Sequence, residues 1–173
     1  MLTSLIIVVA IIAFASKSSD SHKDPEADAN AVTYPPRSVN TGICDNEVME
    51  VFIAGLAHHC DRWDIGPFSG VVFPEKDNPV DKKAMVIGCN RRKKILGYVP
   101  SAILDDYRKW CKREKRPCTG YIYWDGEHYC GRCRVYPTSN EDDFARFSED
   151  ASIYASKVAD HFGWELDEDG SKK

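Results

Sequence analysis

The stretch EKDNPVDKKAMVIGCNRRKKILGYVP, Glu75 to Pro100, sets the fold. It holds an Asn-Pro-x-Asp turn at Asn78–Asp81, an apolar run, four consecutive cations at Arg91–Lys94, and a second apolar run ending Gly-Tyr-Val-Pro. Pro79 fixes its own φ and pushes Asn78 into an extended conformation, while Asp81 can bond its own backbone two residues on. AMVIGC and ILGYV are short and rich in strand-forming residues, so they read as two strands joined by a hairpin with a basic tip.

The flanking sequence extends this pattern. Upstream, EVMEVFIAGL predicts a first strand ended by Gly55, followed by a loop holding His58, His59, Arg62 and Trp63. FSGVVFPE reads as a second strand, broken by Pro74. Downstream, Ser101 is the expected N-cap of a helix whose early turns carry Asp105 and Asp106. Ile103, Leu104, Tyr107, Trp110 and Cys111 recur at three and four and form its buried stripe. Its other face carries Arg108, Lys109, Lys112, Arg113, Lys115 and Arg116, and Pro117 is the expected stop. TGYIYW and EHYCGRCRVYP are two more strands, joined at Asp125-Gly126. A last helix is expected from Asn140 to about Phe162, with Phe147, Tyr154 and Val158 in its apolar stripe and Gly163 at its C-terminal cap. Six short strands, one inserted helix and a C-terminal amphipathic helix predict a mainly β fold with α, a small barrel.

The 173 residues suit one ordinary domain with extensions. The net charge of −4 conceals a split. Residues 46–137 carry 16 basic and 12 acidic side chains, residues 138–173 carry 4 and 10, and residues 17–45 carry 3 and 5. A basic centre admits a polyanionic partner, and an acidic tail opposes indiscriminate binding; both are also what solvated faces look like. Residues 17–46 are polar and Pro-containing and read as a flexible tether. The domain then occupies 47–137, with the C-terminal helix and acidic tail over 138–173.

Residues 1–16 are apolar from Leu5 to Ala15 and uncharged. They read as a signal anchor or a signal peptide, Ala13-Phe14-Ala15 resembling a cleavage site. Lys17 and Lys23 follow the run and no cation precedes it, which predicts an anchored body facing the cytoplasm; export after cleavage is the alternative. Seven cysteines, an odd number, leave at least one thiol unpaired within the chain and suit a reducing compartment.

The motifs NPVDKKAMVIG and KKILGYVP, with VFIAGLAHH upstream, resemble the HIRAN domain family, over about Val48 to Pro137. The family's usual pattern is Asn-Pro-Tyr/Phe-Asp-x-Asn-Ala, an apolar run, then Gly-Tyr/His-apolar-Pro/Lys. It also occurs alone or with membrane segments in bacteria. The resemblance implies a modified OB-like barrel whose pocket takes the 3′-hydroxyl end of single-stranded DNA. It implies that Asp81 holds that hydroxyl, with Asn78 beside it, and that Tyr98 matches the residue after the strand glycine. Val80 stands where the family has a stacking aromatic, and Lys83 where it has Asn. Ala57, His58 and His59 stand where the eukaryotic member has Arg-Tyr-Tyr; imidazoles also stack on bases.

These readings give a non-catalytic nucleic-acid-binding module. Arg91, Arg92, Lys93 and Lys94 would attract phosphates. His58, His59 and Tyr98 would stack, and Asn78 and Asp81 would meet the strand end. The alternative is a membrane-tethered protein-interaction module that docks a partner through its C-terminal helix. Cys130 and Cys133 form a CxxC, but a zinc site favours two such pairs, so no metal and no cofactor is expected. The crowding of His58, His59, Cys60, Asp61 and Asp64 raises the idea of an enzyme, but neither a second cluster nor a Gly-x-x-x-x-Gly-Lys loop supports it.

Overall fold

A computed structural model describes residues 39–140, 145–168, 170, 172 and 173. Among these, six strands form one antiparallel sheet: β1 Met49–Phe52, β2 Gly66–Pro74, β3 Met85–Cys89, β4 Lys94–Tyr98, β5 Arg116–Trp124 and β6 Tyr129–Val135. Their order across the sheet is β1-β6-β5-β2-β3-β4. Three α-helices accompany them: α1 Leu56–His59, α2 Leu104–Trp110 and α3 Ser148–Phe162. The fold is mainly β with α, as expected.

The sheet curls until its two edges meet at one point. Just past β1, Ala54 exchanges two backbone hydrogen bonds with Tyr98 of β4, each 2.9 Å. The contact needs a glycine beside it. A Cβ on Gly97 would lie 2.3 Å from the Ala54 carbonyl oxygen and 2.7 Å from Ile53 Cγ2. The Gly of the Gly-Tyr-Val-Pro run is thus the seam residue of an OB-like curl.

Period-two alternation assigns the two faces. Val51, Val72, Met85, Ile87, Leu96, Ile122, Cys133 and Val135 fill the inside, and Leu104 and Tyr107 of α2, with Cys111 just after it, join the same cluster. On the other face of β5, Tyr121 packs with Tyr154 and Val158 of α3 and with Val39. β5 is therefore covered on both sides, which is why TGYIYW is nearly all apolar.

Several expected boundaries move. Strand β1 ends at Phe52, and Leu56–His59 is a helical turn rather than loop. Helix α2 starts at Leu104 after Ile103, and Ser101 makes no cap. Nor does Pro117 stop that helix, which ends at Trp110; Pro117 lies inside β5 opposite Val71. Arg116 leaves the expected basic face: it is buried, donates to the Cys111 carbonyl at 2.9 Å and pairs with Glu114. The last helix starts at Ser148 after a 3₁₀ turn over Ala145–Phe147, and Gly163 caps it with φ 66°.

Of the tether expected over 17–46, residues 17–38 lie outside the described residues, and Val39 and Thr41 are buried. Arg134 of β6 holds this segment. Its guanidinium donates to the carbonyls of Val39 and Ile43, to Thr41 Oγ1, and to the carboxylates of Asp45, Glu50 and Asp150. Tyr136 also donates to Asp150, at 2.8 Å.

The cytoplasm-facing anchor does not stand. Among the described residues no helix is long and apolar enough to cross a membrane. The run at residues 1–16 that raised the expectation lies outside them. As a helix it reaches about 24 Å, short of a hydrocarbon core of about 30 Å.

Candidate nucleic-acid interface

The loop between β1 and β2 runs along the outer edge of β4. Its residues meet β4 in reverse order. His59 lies edge-on to Tyr98, ring centres 5.5 Å apart. Cys60 Sγ donates to the Leu96 carbonyl at 3.5 Å. Asp64 accepts from Lys94 Nζ at 2.6 Å and from Arg92 at 3.1 Å. Loop and strand together make a ribbon about 16 Å long, the length of five extended residues.

One end of the ribbon gathers the turn residues. Asn78 Oδ1 accepts from the Val80 and Asp81 amides at 2.9 and 2.8 Å, and its Nδ2 donates to Glu75 at 2.6 Å. Asp81 Oδ1 accepts from the Lys83 amide at 2.8 Å. The Tyr98 hydroxyl lies close to Glu75 and Asn78; partial burial first, then the Glu75 charge, pushes its pKa up. Asn78, Tyr98 and His59 thus come together from three segments of chain. His58 is exposed on α1 beside them, and Val80 is 94% exposed with no ring to offer.

The other end is the hairpin tip, and there the four cations are not equivalent. Arg92 and Lys94 are held by Asp64, whose side chain is 1% exposed. Burial pulls the Lys94 pKa down, but the hydrogen bond and charge of Asp64 outweigh it and the net shift is upward. Lys93 lies at the exposed tip with φ 50°, and Arg91, two residues before it, is also exposed. Trp63 is 65% exposed nearby, with the Arg62 guanidinium 4.7 Å from its ring centre.

Three contributors escaped the sequence expectations. Glu75 looks in the sequence like the end of a strand, yet it accepts from Asn78 and lies beside Tyr98. Asp64 looks in the sequence like an ordinary loop residue. Its signal was the Asp61-x-x-Asp64 spacing, since Asp61 accepts from Trp63 N and Asp64 accepts from Asp61 N in a capping box. Arg134 gave no signal, because a strand arginine ordinarily points to water.

The cysteines of the CxxC diverge. Cys130 donates to Asp125 at 3.4 Å, whereas Cys133 is buried on the inner face against Cys118. Among the described residues no group of three or more His, Cys, Asp or Glu side chains is arranged to hold a metal. In the crowded loop, burial and the Asp64 charge push the Cys60 thiol up to about 12, which makes it a poor nucleophile near neutral pH.

No family model matches the chain, and no curated protein matches it. The crystal structure of the HIRAN domain of human HLTF is similar to it at 12% sequence identity and a TM-score of 0.34, covering 69% of this chain and 92% of that one. A likeness that low decides neither fold nor ligand. The fold stated above rests on strand order, register and the seam at Ala54–Tyr98.

Proposed function

We propose that the chain is a non-catalytic nucleic-acid-binding module that takes single-stranded DNA along the ribbon, with a 3′ end at the turn. The observation that carries this is the meeting of Asn78, Tyr98 and His59 at one end of a ribbon whose other end is basic. A strand of about five stacked nucleotides spans about 16 Å at roughly 3.4 Å each. Arg91 and Lys93 would supply phosphate attraction, Trp63, His58 and His59 stacking, and Asp81 the acceptor for a terminal hydroxyl. The ligand class comes from the motif resemblance, and the basic charge of residues 46–137 suits it.

The test is fluorescence polarisation of the full chain with a labelled single strand ending in a 3′-hydroxyl or a 3′-phosphate. Asp81→Asn keeps the acceptor that caps Lys83 N and removes the charge, so its fold is preserved. We expect the wild type to prefer the hydroxyl end by about tenfold, as one charge-assisted hydrogen bond supplies, and the variant to lose that preference. Equal affinity for both ends in the wild type would discard end capture and leave at most strand binding.

A protein-interaction module is the second reading. Exposed Phe52, Val80 and Trp124, together with the pairing of Arg92 and Lys94 with Asp64 and of Lys94 with Asp61, which offsets part of their charge, favour it. Absence of oligonucleotide binding at low salt would select it.

A further inference from the structure

Where the ribbon ends at the hairpin tip, a cleft of about 660 Å³ begins. Trp63, Phe68, Arg91 and Arg92 line it from the sheet side, and small residues of α3, among them Ala151 and Ser152, form its opposite wall. The chain's own end also lines it. After α3 the backbone doubles back: Leu166 and Lys172 form an antiparallel bridge, Lys173 N donates to the Glu165 carbonyl at 2.9 Å, and Gly170 N donates to the Asp167 carbonyl at 2.9 Å. Lys172 seats this turn on β2. A Cβ on Gly66 would lie 2.7 Å from Lys172 Cβ, so the absence of a side chain there is what lets the tail approach. The tip of the turn presents Asp167 and Glu168 to the cleft that Arg91 and Arg92 also line.

Two adjacent carboxylates on a tight turn concentrate negative charge as successive phosphates do. We propose that this cleft is a polyanion-binding surface continuous with the ribbon, and that the acidic C-terminal turn is its internal competitor. A single strand entering the cleft would have to compete with Asp167 and Glu168 for the field of Arg91 and Arg92, so the tail sets a threshold for binding. Coulomb attraction of this kind between exposed groups is modest and screened, which suits a displaceable segment rather than a permanent seal. The inference rests on the nucleic-acid reading above.

The experiment compares three full-length proteins in polarisation titrations with a labelled dT12 at about 50 mM salt. They are the wild type, D167N/E168Q, and D105N/D106N, which makes the same charge change on the exposed face of α2. We expect D167N/E168Q to bind about three- to tenfold more tightly than wild type, and D105N/D106N to gain clearly less. Equal gains in the two variants would reduce the effect to net charge and overturn the proposal. Binding by the wild type with no gain in D167N/E168Q would overturn it too, while sparing the nucleic-acid reading. Failure of all three to bind would end both. Gly66→Ala gives an independent check, because it should loosen the tail through Lys172 and raise affinity in the same direction; a loss of affinity in a folded Gly66→Ala protein would count against the tail as competitor.

Discussion

Arg134 shows how much one side chain decides. It is 2% exposed and shares its five N–H donors among three carboxylates, a threonine hydroxyl and two backbone carbonyls. Replacing it with Met would leave Asp150, fully buried, without its cation. We expect a loss of about 3–5 kcal/mol in denaturant unfolding, the cost of stranding a buried charge. One guanidinium cannot serve three acids equally. Its hydrogen bond holds Asp45 below the ordinary value of 3.8, whereas burial raises Glu50 above 4.5 despite the same neighbour. The signs oppose. A lowered Asp45 contributes stability above its ordinary value that is lost as pH falls through its folded value. A raised Glu50 means the folded state binds the extra proton, so stability falls as pH climbs from 4.5 through the raised value. Glu50→Gln keeps an acceptor for Arg134 and should remove that second fall. Stability measured by urea unfolding from pH 4 to pH 7 would check it; an unchanged slope in the variant would contradict the assignment.

At the level of elements, the seam and the ribbon carry the architecture. Gly97→Ala drives a methyl into the Ala54 carbonyl, so we expect about 2–4 kcal/mol of destabilisation and faster hydrogen exchange at the Ala54 and Tyr98 amides. The strands on either side of this glycine were legible from the sequence because their apolar runs are bounded by turn residues. So were the Asp125-Gly126 turn and the Gly163 cap, both local chemistry: Asp125 Oδ1 accepts from the amides of Glu127 and His128, and Gly163 takes a left-handed conformation. What was not legible depends on tertiary partners. Ser101 has the right chemistry for a cap, but the helix begins three residues later. Pro117 has no N–H to give, yet β5 accommodates it opposite Val71. In the candidate interface, Asn78, Tyr98 and His59 were legible as types. That they meet, and that Asp64 takes two of the four tip cations, comes only from the loop lying along β4. Asp64→Asn should release Arg92 and Lys94. If they then reach phosphates, the log–log salt dependence of single-strand binding should steepen by about 0.7 per cation, with some loss of stability. An unchanged slope would mean that these two side chains stay out of reach.

Across the whole molecule, the proposed binding depends on charge segregation rather than on net charge. A chain of net −4 would be expected to repel DNA, but its ten C-terminal acids and its basic centre occupy different stretches. With Arg91 and Lys93 as the phosphate contacts, binding should follow a log–log salt slope of about −1.4. A slope near zero would argue for apolar or stacking contacts instead. This split was visible in the sequence, but not its consequence, since nothing in a linear reading returns Lys172 to the side of β2.

The Arg134 clamp also bears on how the chain is made. Thr41 and Asp150, which it gathers and which bond each other, are 109 residues apart. At about 5–20 residues per second, a ribosome needs roughly 5–20 s to supply the second after the first. For most of that interval the segment around Val39 has no Arg134, and throughout it lacks a complete α3 to rest on. β1 likewise waits for its partner β6. A nascent chain therefore exposes its earliest folded elements longest, and this is the window in which a chaperone or a protease would find them.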